Sequence, residues 1–197
     1  MTTGSPSSVP VRTVPPAVRI TGPARAWRIA RRFLLPRLIV RLIYLFRHRT
    51  FIAPLAEVEL SRLAEWGPRC SISSFTKIKI GGRFTMGARV QIATGCFIEV
   101  SAGGLAIGDD SLVGPNTTIV TSRYSYDRLG VPFDQQGNVS AGVRIGARVW
   151  IGANSVILDG SDIGDDCIIS AASVVGGSVP AGSIVAGNPA KAVFSRR

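Results

Sequence analysis

Residues 145–175 read IGARVWIGANSVILDGSDIGDDCIISAASVV. Aliphatic residues fall at Ile145, Ile151, Ile157, Ile163, Ile169 and Val175, one in every six. Gly146, Gly152 and Gly164 follow three of them, and a compact residue stands four places after the aliphatic: Val149, Ser155, Ser161, Cys167, Ser173. An α-helix repeats its buried face about every 3.6 residues and a half-buried strand every second residue, so this period belongs to neither. A fixed short repeat marks a solenoid, in which each unit buries its apolar row only against its neighbours. The hexads predict a triangular parallel β-helix. Each makes one short flat face and one corner, with the aliphatic inward, the compact residue beside it, and Gly, Asp or Asn easing the corners.

The pattern continues upstream, with Ile72, Ile78, Phe84 and Val90 as one set and Ile107, Val113 and Ile119 as another. Val90 and Ile107 are 17 residues apart, one short of three hexads, which predicts a turn near Ser101–Gly104. Three stretches carry a family resemblance: IGDDSLVGPNTTI at 107–119, IGARVWIGANSVILDGSDIG at 145–164 and VPAGSIVAGNPAK at 179–191. Over about residues 70–193 the chain resembles the left-handed β-helix, hexapeptide-repeat acyltransferases, and among them the sugar and polysaccharide O-acetyltransferases. The resemblance implies the left hand of the coil, a homotrimer, and acetyl-CoA as acyl donor without a metal.

A chain of 197 residues predicts one domain with extensions. Residues 1–23 are rich in Pro, Ser and Thr and predict a disordered arm. Residues 24–69 predict a basic helical segment or cap, 70–175 the β-helix with a loop at 123–143, and 176–197 an extended tail. The net charge of +11 is uneven: residues 1–50 hold ten Arg and no acid, and residues 51–197 hold thirteen Lys and Arg against twelve acids. The basicity therefore belongs to the arm. In ARAWRIARRFLLPRLIVRLIYLFRHRT, residues 24–50, arginines interleave with large apolar residues. Two readings stand: a helix closing the open end of the solenoid, or an interfacial helix on an anionic membrane surface. No nucleic-acid-binding fold accompanies these arginines. No apolar run is long enough to span a bilayer, and no signal-like leader is evident, so a cytoplasmic protein is expected, peripheral to the inner membrane face if the arm binds lipid. Cys70, Cys96 and Cys167 lack metal-site spacing and predict reduced residues. His48 is the single histidine, too few for the metal site of the γ-class carbonic anhydrases that share this fold.

Between Arg123 and Val143 the period breaks into RYSYDRLGVPFDQQGNVSAGV. A solenoid accommodates such an insertion as a projecting loop, where function concentrates. Acyl transfer from a thioester to a hydroxyl needs a base for the hydroxyl proton, donors for the developing oxyanion, and a groove that positions the acyl donor. The resemblance puts the family's catalytic His at Tyr124. A phenol is a weaker base at neutral pH than an imidazole, so Tyr124, aided by Arg123, or Asp127 is the candidate. Alternatively an amine acceptor needs less help. Without a base, the chain would be a trimer that binds coenzyme A or a glycan, or a scaffold turned to other natural-product chemistry. The resemblance implies donor contacts at Ala153, Ala171, Gly176, Gly177 and Lys191, with Trp150 lining the acyl pocket. It implies acceptor-side roles for Asn116, Glu99 and Arg123. The acceptor would be a small molecule or a glycan.

Overall fold

The computed structural model describes residues 37–196. The expected arm at 1–23 and the first part of the basic segment, 24–36, lie outside the described residues. Helix α1, Arg37–His48, is followed by a triangular solenoid with three parallel sheets as its faces. The first face holds eight strands, running from Phe51–Ile52 through Trp150–Ile151 to Ser183–Gly187 and a final antiparallel strand, Ala190–Ser195. The second, Glu57–Val58 to Val174–Val175, and the third, Ala64–Trp66 to Ser178–Val179, hold six strands each. The hexapeptide reading thus gives the right architecture.

Inside the prism the aliphatics stack in ladders. On the first face Ile52, Ile72, Ile92, Val113, Ile151, Ile169 and Val185 lie in consecutive register, all buried. Ile78, Ile98, Ile119, Ile157 and Val175 do the same on the second. Each ladder exists only because coils stack, which is why one hexad alone has no stability.

The compact residue after each aliphatic does more than fit. At several of these positions its hydroxyl or thiol donates a hydrogen bond to a backbone carbonyl one coil on. Examples are Thr76 Oγ1 to the Ala93 carbonyl at 2.7 Å, Ser111 Oγ to Gly146 at 2.9 Å, Ser161 Oγ to Val175 at 3.1 Å, and Cys167 Sγ to Pro180 at 3.0 Å. Among the described residues no buried side-chain polar atom lacks a partner. The cysteines belong to this row, free and buried. Burial pushes the Cys70 and Cys96 thiols up, so they are inert at neutral pH.

Two departures from the hexad count have a geometric cause. Phe84 and Val90 are buried, but Met86 and Ile92 hold the ladder positions. The third face is longer in the early coils: eight residues separate Ile78 from Met86 and nine separate Ile98 from Ile107, against six in the later coils. Val90 sits in the corner two residues ahead of Ile92, so counting from it registers one slip. The turn expected at Ser101–Gly104 is present, closed by Gly104 N–H donating to Ser101 at 2.9 Å.

The solenoid also extends past both expected boundaries. Phe51–Ile52, Glu57–Val58 and Ala64–Trp66 complete a first coil well before residue 70. Beyond 176, Ser178–Val179 and Ser183–Gly187 continue the third and first faces. The chain then reverses, and Ala190–Ser195 covers the outgoing sheet edge. At the other end α1 closes the prism. Tyr44 is 1% exposed, donates its hydroxyl to the Glu59 carbonyl at 3.2 Å and stacks edge-on against Trp66, which stacks on Phe84. Arg41 Nε donates to the Ile52 carbonyl at 2.9 Å.

Corner backbone explains two residue choices. An added Cβ on Gly146 would lie 2.6 Å from the Asp165 backbone nitrogen, so only glycine lets these coils stack this closely. Left-handed residues recur at one position per corner, as in Asn116, Asn154 and Ala172, with φ of 57°, 58° and 59°. An alanine is strained there. Gly146→Ala is expected to destabilise by on the order of 1–3 kcal/mol. Ala172→Gly is expected to stabilise by about 0.5–1 kcal/mol, strain relief outweighing the flexibility glycine adds to the unfolded chain. Denaturant unfolding of the two variants checks both signs.

Candidate active site

The loop leaves the corner between the second and third faces in the fourth coil. Its root is a hydrogen-bonded joint. Ser140 Oγ donates to the Thr121 carbonyl at 2.6 Å and accepts from Gly103 N–H at 2.7 Å; Thr121 Oγ1 accepts from Ser101 N–H at 2.6 Å. Arg123–Tyr124 then pairs antiparallel with Asn138–Val139, making the loop a short two-stranded arm. Its tip folds around the Gln136 amide, which accepts from Arg128 N–H at 2.9 Å and donates to the Arg128 and Val131 carbonyls at 3.0 and 2.7 Å. The arm projects aromatic and aliphatic side chains into solvent: Tyr124, Tyr126, Phe133 and Leu129, the last 98% exposed.

Asp159 fixes this arm to the next coil. Its side chain is 2% exposed, and Oδ2 accepts from Arg123 Nη1 at 2.7 Å. Its Oδ1 accepts from the Ala141 and Gly142 N–H groups at 2.7 and 2.9 Å. One buried carboxylate therefore holds both ends of the insertion. The sequence reading missed Asp159; an Asp beside a corner glycine looks like a turn former, and its partners are 18 and 36 residues away.

Arg123 thus helps position the arm, with its side chain still partly exposed. Adjacent strand residues point to opposite sides, so its guanidinium also faces away from Tyr124. The Tyr124 and Asp127 side chains are exposed and make no hydrogen bond or ion pair with another described residue. Asn116 is a corner residue: its left-handed backbone donates to the Thr94 carbonyl at 2.9 Å, like every member of its column. His48 packs against Tyr44 in the capping helix, remote from the loop, and burial, reinforced by Arg47, lowers its pKa. No cluster of metal-ligating side chains occurs among the described residues.

The remaining candidates fall into two groups on different parts of the prism. Glu99, Tyr124, Asp127, Gly176 and Gly177 lie along or above the corner between second and third faces; Glu99 is beside Val120 at the loop root. Trp150 stands 54% exposed on the first face, with Ala153 and Ala171 at the next corner and Lys191 on the closing strand. Gly177 has a φ of +100°, which glycine alone adopts readily, whereas an added Cβ on Gly176 would meet only Leu158, at 3.5 Å. An open groove of about 610 Å³ runs along the third face past Thr85, Ala106 and Arg144; none of the candidates lines it.

Asp159→Ala is expected to cost about 1.5–3 kcal/mol, the worth of hydrogen bonds to a buried charge. Trypsin should then cleave after Arg128 faster while the coils stay resistant. Equal cleavage rates for the variant and the parent would show that Asp159 does not hold the arm.

Residues 142–177 match the family described as bacterial transferase hexapeptide (six repeats). A probable acetyltransferase of Mycobacterium tuberculosis is 31% identical over 180 residues, covering 88% of this chain and 57% of that protein. Nodulation protein L of Rhizobium meliloti is 35% identical over 131 residues, covering 66% of this chain and 69% of that protein. The chain spans about half the length of the first curated relatives it matches. Among solved structures, the Bacillus cereus N-acyltransferase AntD, in complex with dTDP and 3-hydroxybutyryl-CoA, superposes with a TM-score of 0.67 at 20% identity, over 76% of this chain and 81% of that one. The stacked coils, the projecting loop and these matches together make the chain a member of the hexapeptide-repeat acyltransferase family.

Proposed function

We propose that this protein is an acyl-CoA-dependent acyltransferase that carries an acetyl group to a hydroxyl or amine of a sugar, glycan or natural product, and that it works as a homotrimer. One observation carries the reading: the candidate residues form two half-sites. The loop arm and Glu99 stand at one corner, while Trp150, Ala153 and Ala171 lie around another edge. No single chain brings them together. A threefold assembly that sets the arm of one copy against the first face of the next joins them, and it covers the aromatic side chains the arm leaves in solvent.

The donor half fits coenzyme A in its chemistry. Small side chains at Ala153 and Ala171 leave room for a chain lying along the coils, while Gly176 and Gly177 leave open space at the loop's corner, on the other half. Lys191 is exposed and forms no ion pair with a described residue, so its ammonium is free to meet a phosphate. Trp150 offers an exposed ring against the acyl end. When bound, the thioester supplies the acyl group. The acceptor oxygen or nitrogen bonds to the carbonyl carbon, the carbon–sulfur bond breaks, and the acceptor's proton ends on the thiol. On the acceptor half, Tyr124 or Asp127 takes that proton. Both stand in solvent without an activating partner among the described residues, which favours either an activating group from the neighbouring copy or an amine acceptor whose lone pair is already free. The same observation supports a second reading: a trimer that binds coenzyme A or a glycan without turnover.

Calorimetric titration separates donor binding from turnover. Micromolar affinity for acetyl-CoA, weakened on the order of tenfold by Trp150→Ala and by Lys191→Ala, is expected. No binding at millimolar ligand would sink the transferase reading. If binding is present, mixing Tyr124→Phe and Trp150→Ala chains tests the shared site. Rescue of acetyl transfer in the mixture supports the transferase; donor binding with no transfer to any amino or hydroxyl sugar leaves the binding trimer.

A further inference from the structure

The helix that closes the solenoid has a second apolar face. Val40 and Tyr44 pack inward on the first coil. Ile39, Leu42, Leu45 and Phe46 face out, at 42%, 40%, 44% and 80% exposure. A helix whose only task is to close a prism needs a polar outer side. This one is apolar there, and Leu55 and Leu63, at two corners of the first coil, are half-exposed as well.

Charge at this end is one-sided. Arg47, Arg49, Arg62 and Arg69 are exposed and pair with no carboxylate among the described residues. The three glutamates of the first coil all bond one coil inward. Glu57 pairs with Lys77 at 3.3 Å, Glu65 with Arg83 at 3.2 Å, and Glu59 accepts from Ile80 N–H at 3.0 Å. The closed end therefore presents arginines around an apolar stripe, and residues 1–36 add six arginines and no acid. Like charge disfavours a second copy as the cover.

We propose that this end of the protein docks on an anionic lipid bilayer, with the outer face of α1 lying in the headgroup boundary and the arginines on lipid phosphates. Apolar side chains set between arginines match a surface that is negative outside and hydrocarbon within. The prism axis then stands away from the membrane. The loop leaves the fourth coil, three strand spacings from the first, so it sits roughly 15 Å beyond the first coil. Resting on the transferase reading, this height suits a glycan acceptor carried on a membrane lipid.

The test is co-sedimentation of the full chain with vesicles of phosphatidylcholine alone and of phosphatidylcholine with phosphatidylglycerol, read without turnover, so its outcome is independent of catalysis. Binding only to the anionic vesicles is expected, lowered on the order of tenfold by Arg47→Gln with Arg49→Gln and by Leu42→Glu with Phe46→Glu. An environment-sensitive dye on Phe46→Cys should shift to the blue on anionic vesicles, which reads insertion without depending on the glutamate variant folding. No binding to anionic vesicles would overturn the proposal. So would binding with no dye shift, which would leave a merely electrostatic contact.

Discussion

Everything in this fold depends on hydrogen bonds that run along the solenoid axis. Each strand donates to and accepts from the strands one coil before and after, and even the corners follow the rule: Asp110, Arg148 and Asp166 each donate from a left-handed corner to the preceding coil. The spacing between coils is therefore fixed by backbone geometry, at roughly 4.8 Å. All other choices adapt to it. Corner glycines such as Gly146 are required because a Cβ does not fit between coils at that distance. Ser, Thr and Cys fill the inner corner because a short donor reaches the next coil's carbonyl while a longer side chain would displace the ladder.

A rigid, repetitive rod has little chemistry of its own. What distinguishes this chain is where the repeat is interrupted. The insertion at 123–139 is held by Asp159 and Ser140, whose partners are backbone groups and one arginine. The arm is thus a built part, and its exposed aromatics and unpartnered Tyr124 and Asp127 are positioned rather than loosely displayed. Interruption at one corner also separates the arm from Trp150 and from the small residues of the neighbouring edge. That separation is the gap the proposed threefold assembly would bridge.

The two ends of the rod are closed differently. At the C-terminal end Ala190–Ser195 doubles back and occupies the sheet edge of the first face, a local solution made of the chain's own backbone. At the N-terminal end a helix is laid across, anchored by Tyr44, Arg41 and the Tyr44–Trp66–Phe84 stack. The strand cap leaves a single short edge strand as its outer side. A helix keeps an outer face, and here that face is apolar and bordered by arginine.

The period of six by itself determined the fold, because each hexad repeats the same local demand: an aliphatic to bury, a small donor to set beside it, a corner to relax. The broken period located the loop, and the charge count located the basic arm. Tertiary structure alone decided the start of the first coil at Phe51, the longer early third face, the engagement of Arg123 by Asp159 and the left-handed corner backbone of Asn116. It also decided that α1 buries Tyr44 and leaves Phe46 outside. The physical reason is sequence distance. A hexad's information is complete within a few residues, whereas these pairings arise between positions that only the stacking of coils brings into contact, and a drift of two or three residues in one face changes which side chains meet.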